Sequence, residues 1–134
     1  MKSIQFLPIN DKGDIRGESY YIPDKAIEFI GNIDEMHYAT ILPSQIRGNH
    51  YHIGRREFII IKSSDACIVS WREPNENFIS TKEFKKNRVI LILVEPQVIH
   101  AIKNTGKAPI HLVSCSNKRY DPDHPDTFRE EILK

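Results

Sequence analysis

Apolar residues along this chain come in short bursts cut by turn formers, the spacing expected of an all-β sandwich or barrel. Segments 5–7, 17–22, 36–42, 48–51, 57–61, 66–72, 78–84, 89–94, 98–102 and 110–116 read as strands, and only Asp24–Ile30 reads as a short helix. Turn residues support these cuts: Asp11-Lys12-Gly13-Asp14, Pro43-Ser44, Lys62-Ser63-Ser64-Asp65 and Glu73-Pro74-Asn75. The stretch Asn104-Thr105-Gly106-Lys107 before Pro109 predicts a hairpin. From Tyr120 onward a proline-rich tail gives way to a pattern that predicts a short C-terminal helix.

Two runs break the alternation. Phe58-Ile59-Ile60-Ile61 and Val89-Ile90-Leu91-Ile92-Leu93-Val94 are apolar at every position, so both faces of those strands must leave water. One barrel covers one face; a second copy of the chain would cover the other, which predicts a homodimer. The alternative is a further layer of the same chain.

Composition narrows the class. The 134 residues suit one domain spanning 1–134, with no linker or repeat. Charged residues make up 28% with a net charge of +1 and both signs interspersed, which argues against a nucleic-acid partner. No apolar run is long enough to cross a membrane, and the start MKSIQFLPIN lacks the layout of a signal peptide, so a cytoplasmic protein is expected. Cys67 and Cys115 each sit in a strand-like apolar run and read as buried thiols, not as a disulfide.

The chemistry sits in two blocks. His50 and His52 are two apart on a predicted strand, so both imidazoles point to one face. Glu57 follows a four-residue loop, and His100 comes four residues after Pro96 with Asn104 four residues further on. Three imidazoles and a carboxylate form a mixed nitrogen and oxygen set suited to one divalent metal: Zn first, with Fe, Mn or Ni as alternatives.

These blocks resemble the paired motifs of the cupin superfamily, which implies a double-stranded β-helix, or jelly-roll barrel. More narrowly, RGNHYH with Glu57, HAIKNTG and the tail YDPDHPDTFREEIL are similar to the C-terminal cupin of bifunctional capsular-polysaccharide enzymes. In those, a reductase domain is joined to a metal-binding cupin that epimerises a UDP-linked keto-deoxy-sugar. The resemblance runs from about residue 11 to the C-terminus. It implies a nucleotide sugar as small-molecule substrate, and any such activity would need the reductase as a separate polypeptide. Asp14-Ile15-Arg16-Gly17 is more distantly similar to the start of dTDP-4-dehydrorhamnose 3,5-epimerases and dTDP-sugar 3,4-ketoisomerases. Two positions depart from the cupin pattern: Ser64 and Gln97 stand where glycine is usual.

Further residues have a functional and a structural reading. Arg16 and Arg47 match arginines of chains that bind a sugar-nucleotide diphosphate, although surface solvation explains them equally. Trp71 would serve as a stacking surface for a sugar or base, or as core. His37 and His111 are possible bases, more often structural in strands, and His124 falls in the polar tail. Tyr120 opens the tail and could reach a pocket mouth, so it is the candidate proton-transfer residue, with Glu57 at the metal. The expected activity is epimerisation or isomerisation by removal and return of the proton beside a keto group. A metal-dependent oxygenase and a non-catalytic sugar-binding cupin are the rival readings.

Overall fold

The computed structural model describes residues 3–134. Its strands are β1 (Ile4–Leu7), β2 (Glu35–Ile41), β3 (Ile46–Tyr51), β4 (Glu57–Ser63), β5 (Cys67–Arg72), β6 (Ser80–Phe84), β7 (Arg88–Val94), β8 (Ile99–Asn104), β9 (Ile110–Ser116) and β10 (Phe128–Arg129). The helix α1 (Asp24–Ile30) precedes β2. The strands form two antiparallel sheets, ordered β1-β7-β4-β9-β2 and β10-β3-β8-β5-β6, as the jelly-roll expectation requires.

The core lies between the sheets and follows the period of two. Ile59 and Ile61 of β4, Ile90 and Ile92 of β7, Val69 of β5 and Ile102 of β8 point inward and pack as one cluster. The alternate residues, Phe58, Leu91, Leu93 and Cys115, form a second cluster on the outer face of the first sheet, covered by Ala26 and Ile30 of α1. This is why β4 and β7 are apolar at every position. The sequence-based argument for a homodimer therefore loses its premise, since the chain's own helix covers the outer face. The two cysteines fall in these separate clusters and are free thiols.

Four local expectations are corrected. Residues 17–22 form no strand; Asp14 and Gly17 make an isolated bridge, and the Asp11 carboxylate organises the loop by accepting from the Gly13 and Ser19 amides. The strand expected over 78–84 begins only at Ser80. The turn at 104–109 is not a hairpin, because β8 pairs with β3 and β5 while β9 pairs with β2 and β4; it crosses between the sheets. The tail is not helical. Its backbone is engaged by β3 through β10, and by the Asn49 side chain, which accepts from the Ile132 and Leu133 amides. An amide so committed cannot enter an i to i−4 ladder.

Candidate metal centre

Local backbone geometry delivers the ligands. β3 runs against β8 with a bulge between Gly48 and His50. Gly48 has φ 96°, and a Cβ there would lie 2.6 Å from the His100 carbonyl oxygen, so only glycine lets the strands approach this closely. Asn49 continues the bulge at φ 55°. Gln97 also holds a positive φ, 72°, so the turn before His100 keeps the backbone that glycine usually supplies there, while Ser64 does not.

His50, His52, Glu57 and His100 come together with one ligand atom each, all within 4.8 Å of one another. The Nε2 atoms of His52 and His100 both lie 3.2 Å from Glu57 Oε1. Neither is aligned to donate to it, and Oε1 is buried without a hydrogen bond. Three donor atoms crowded together with no shared proton are what a cation would organise, so the residues fit a divalent metal. The far sides of the rings fix the tautomers. His52 Nδ1 donates to the Asp126 carbonyl at 2.6 Å, and His100 Nδ1 donates to the Val98 carbonyl at 3.1 Å. A carbonyl can only accept, so each Nδ1 carries the proton and each Nε2 keeps its lone pair for the ion. Ser114 Oγ donates to Glu57 Oε2 at 2.8 Å and aims the carboxylate.

In the metal-free protein electrostatics act on the groups in different directions. Burial, with His100 and His52 beside it, pushes His50 down to about 4, so its imidazole is neutral. Burial alone would raise Glu57, but the His100 and His52 imidazoles hold it well below the usual carboxylate range. His100 is depressed by burial, yet its Glu57 partner prevails and raises it. These shifts act on opposite sides of the ordinary histidine value of 6.5. Because His50 binds fewer protons folded than unfolded, stability falls as pH drops from 6.5 toward about 4. The raised His100 contributes stability that is full below 6.5 and is lost as pH rises through its folded value. Metal-free protein is therefore expected to be most stable near the histidine midpoint. His50→Asn should flatten the acid limb in chemical denaturation; an unchanged acid limb would show that His50 does not cause it.

Two cavities open onto the cluster. One, of about 310 Å³, is lined by His50, Glu57 and His100 together with His37, Arg47 and Arg129. The other, of about 420 Å³, shares His50, Glu57 and His37 and adds Arg55, Glu35 and Tyr120. Arg47 thus lies beside the ligands, its Nε donating to the Thr40 carbonyl at 2.7 Å. Tyr120 is held by its amide to Glu35 Oε1 at 3.1 Å.

Other sequence candidates lie elsewhere. Arg16 is exposed and paired with Asp14 at 2.6 Å, and it lines neither cavity. Trp71 packs on Phe6, ring centroids 5.3 Å apart, so the core reading describes it. His111 bonds the Tyr38 hydroxyl on the surface, and His124 pairs with Asp121 in the tail. Arg55, Ser114, Asp126 and Arg129 were missed by sequence reasoning. Arg55 lies between His52 and Glu57, which was a usable signal; nothing in spacing places the other three at the site. Among the described residues no helix is long and apolar enough to cross a membrane.

Comparison with known proteins agrees with this architecture. The model of the polysaccharide biosynthesis C-terminal domain family matches residues 27–128. No curated protein matches the sequence. The capsular polysaccharide assembling protein CapF from Staphylococcus aureus superposes with a TM-score of 0.67 at 20% identity, over 93% of this chain and 35% of CapF. This chain thus spans about a third of the length of CapF. QdtA, a 3,4-ketoisomerase from Thermoanaerobacterium thermosaccharolyticum solved with TDP-4-keto-6-deoxyglucose, gives 0.72 at 17% identity, over 97% of this chain and 89% of that one. A dTDP sugar isomerase from Desulfovibrio desulfuricans gives 0.78 at 13% identity, covering 96% and 83%. At these identities the likeness concerns the fold.

Proposed function

We propose that this chain, which belongs to the polysaccharide biosynthesis C-terminal domain family, is a metal-dependent epimerase or isomerase of a nucleotide-linked keto-deoxy-sugar. The observation that carries the reading is the convergence of three imidazoles and one carboxylate beside a cavity that also holds Arg47 and Arg129. A bound divalent ion, zinc by its donor set with iron, manganese or nickel as alternatives, would supply Lewis acidity toward a keto oxygen. Arg47 and Arg129 suit a diphosphate, since each guanidinium keeps donors beyond the one it spends on a backbone carbonyl. His37 lines both cavities and belongs to none of the ligands, so it can take a proton from the carbon beside the ketone. Tyr120, which lines the second cavity with His37, is the candidate to return a proton. A nucleotide sugar as substrate is supported by the ligand named with QdtA.

Solvent exchange tests the reaction. Metal-loaded protein incubated in D₂O with 4-keto UDP- or dTDP-sugars is expected to place deuterium beside the ketone, a gain of about one mass unit per exchanged position. Glu57→Gln should slow it strongly, because losing the carboxylate charge weakens the metal site. Absence of exchange with metal confirmed present would remove this reading. Oxygen consumption in its place would identify an oxygenase, and ligand binding without either reaction a binding module.

A further inference from the structure

We infer that the C-terminal tail positions the metal ligands, with Asp126 as its principal positioning residue; this rests on the metal reading above. His52 lies just beyond the end of β3, so no strand pairing fixes its ring. Asp126 does so in two ways. Its carbonyl accepts from His52 Nδ1 at 2.6 Å, while its carboxylate accepts from the Ile53 amide at 2.8 Å and the Gly54 amide at 2.8 Å. One residue thus ties both the imidazole and the loop that leads to Glu57. The two amides hold the Asp126 carboxyl below its ordinary range, although desolvation opposes them.

The tail is itself anchored to the residue before His50. The Asn49 side chain accepts from the Ile132 amide at 3.0 Å and the Leu133 amide at 3.1 Å, and donates to the Leu133 carbonyl at 3.0 Å. The Asn49 carbonyl accepts from the Glu130 amide at 2.8 Å. Phe128 stacks on Tyr51 with centroids 5.4 Å apart, and Glu130 pairs with Arg72 at 2.8 Å. A segment that contributes no ligand thus holds the ring of His52 directly, and the backbone next to His50 and ahead of Glu57 indirectly. A partner that orients a ligating histidine commonly sets metal affinity by about 10- to 100-fold.

The experiment measures zinc and cobalt affinity by competition with a chromophoric chelator, alongside the visible spectrum of the cobalt form and unfolding of the metal-free protein. Asp126→Ala keeps the backbone carbonyl but cuts the carboxylate's hold on the Ile53 and Gly54 amides, which frees the segment from its seat beside His52. It is expected to weaken both ions by about 10- to 100-fold and to alter the cobalt spectrum, which loss of stability alone would not do. Asp126→Asn keeps one acceptor and should weaken binding by about 3- to 10-fold, so it carries the test should the alanine variant not fold. In a His52→Ala background Asp126→Ala should cost clearly less affinity than in the wild type, because the ring it orients is gone and only the loop to Glu57 is left to loosen. Wild-type affinity and spectrum in the Asp126 variants would overturn this inference alone. A wild-type protein that binds neither ion would overturn the metal reading, and this inference with it.

Discussion

Replacing His100 by alanine is expected to abolish stoichiometric metal binding and to destabilise the metal-free protein at the same time. The ring is almost wholly buried, its Nδ1 is fixed by the Val98 carbonyl, and its Nε2 lies 3.2 Å from Glu57 Oε1. Alanine removes a ligand that pocket water replaces poorly, which should weaken the ion by more than about 100-fold, beyond the usual cost of losing an orienting partner. It also removes one of the two imidazoles that hold the buried Glu57 carboxylate ionised, and leaving a buried charge without its partner costs about 3–5 kcal/mol. His50→Ala separates the two effects. His50 is half-buried, lacks a fixing hydrogen bond and is neutral by its low pKa of about 4, so its loss should strip the metal with far less damage to the fold. Elemental analysis and thermal unfolding of both variants check this. Stoichiometric metal in both would show that the ligand set is wrong.

Asn104→Ala should cost much of the fold's stability while leaving the ligands in place. Asn104 is fully buried where β8 ends and the chain crosses toward β9. Its Nδ2 donates to the Ile41 carbonyl at 2.8 Å and to the Ala108 carbonyl at 2.8 Å, while its Oδ1 accepts from the Gly106 amide at 2.9 Å. One side chain thereby closes the crossing turn and joins β2 of one sheet to β8 of the other. Alanine leaves all three backbone groups short of a partner; a buried polar group left unpaired costs about 1–3 kcal/mol, so a total of about 3–5 kcal/mol is expected. The melting temperature should fall on the order of 10 °C, with metal stoichiometry retained when the protein is folded. Asn104→Asp should be no better, because it removes the donor and buries a charge. A shift under about 2 °C in the alanine variant would show that other groups hold the crossing together.

The position of Asn104, four residues after His100, was legible in the sequence, but its work was not. The spacing suggested a hairpin at 104–109, whereas the structure uses the asparagine to carry the chain between two sheets. Turn residues report that a chain reverses locally; they do not say which strand it then pairs with.

The same division runs through the molecule. Most strand positions, the helix at Asp24–Ile30 and the inward set of Ile59, Ile61, Ile90 and Ile92 follow from apolar periodicity and from turn chemistry, both of which are local properties. The ligand group was likewise readable, because His50 and His52 share a strand face and Glu57 and His100 recur at spacings that resemble a known pair of motifs. The sequence also required cover for both faces of β4 and β7, but not what supplies it; the structure uses Ala26 and Ile30 of α1 where a second subunit was expected. The tail read as a helix because its composition permits one, and became an extended strap because Asn49 and β3 compete for the same amides. Ser114, Asp126 and Arg129 reach the site from remote positions, Arg16 stays away from it, and Trp71, opposite His100 on β5, packs on Phe6 and lines neither cavity. Local periodicity determined which residues could serve, while contacts between residues distant in sequence decided which of them meet.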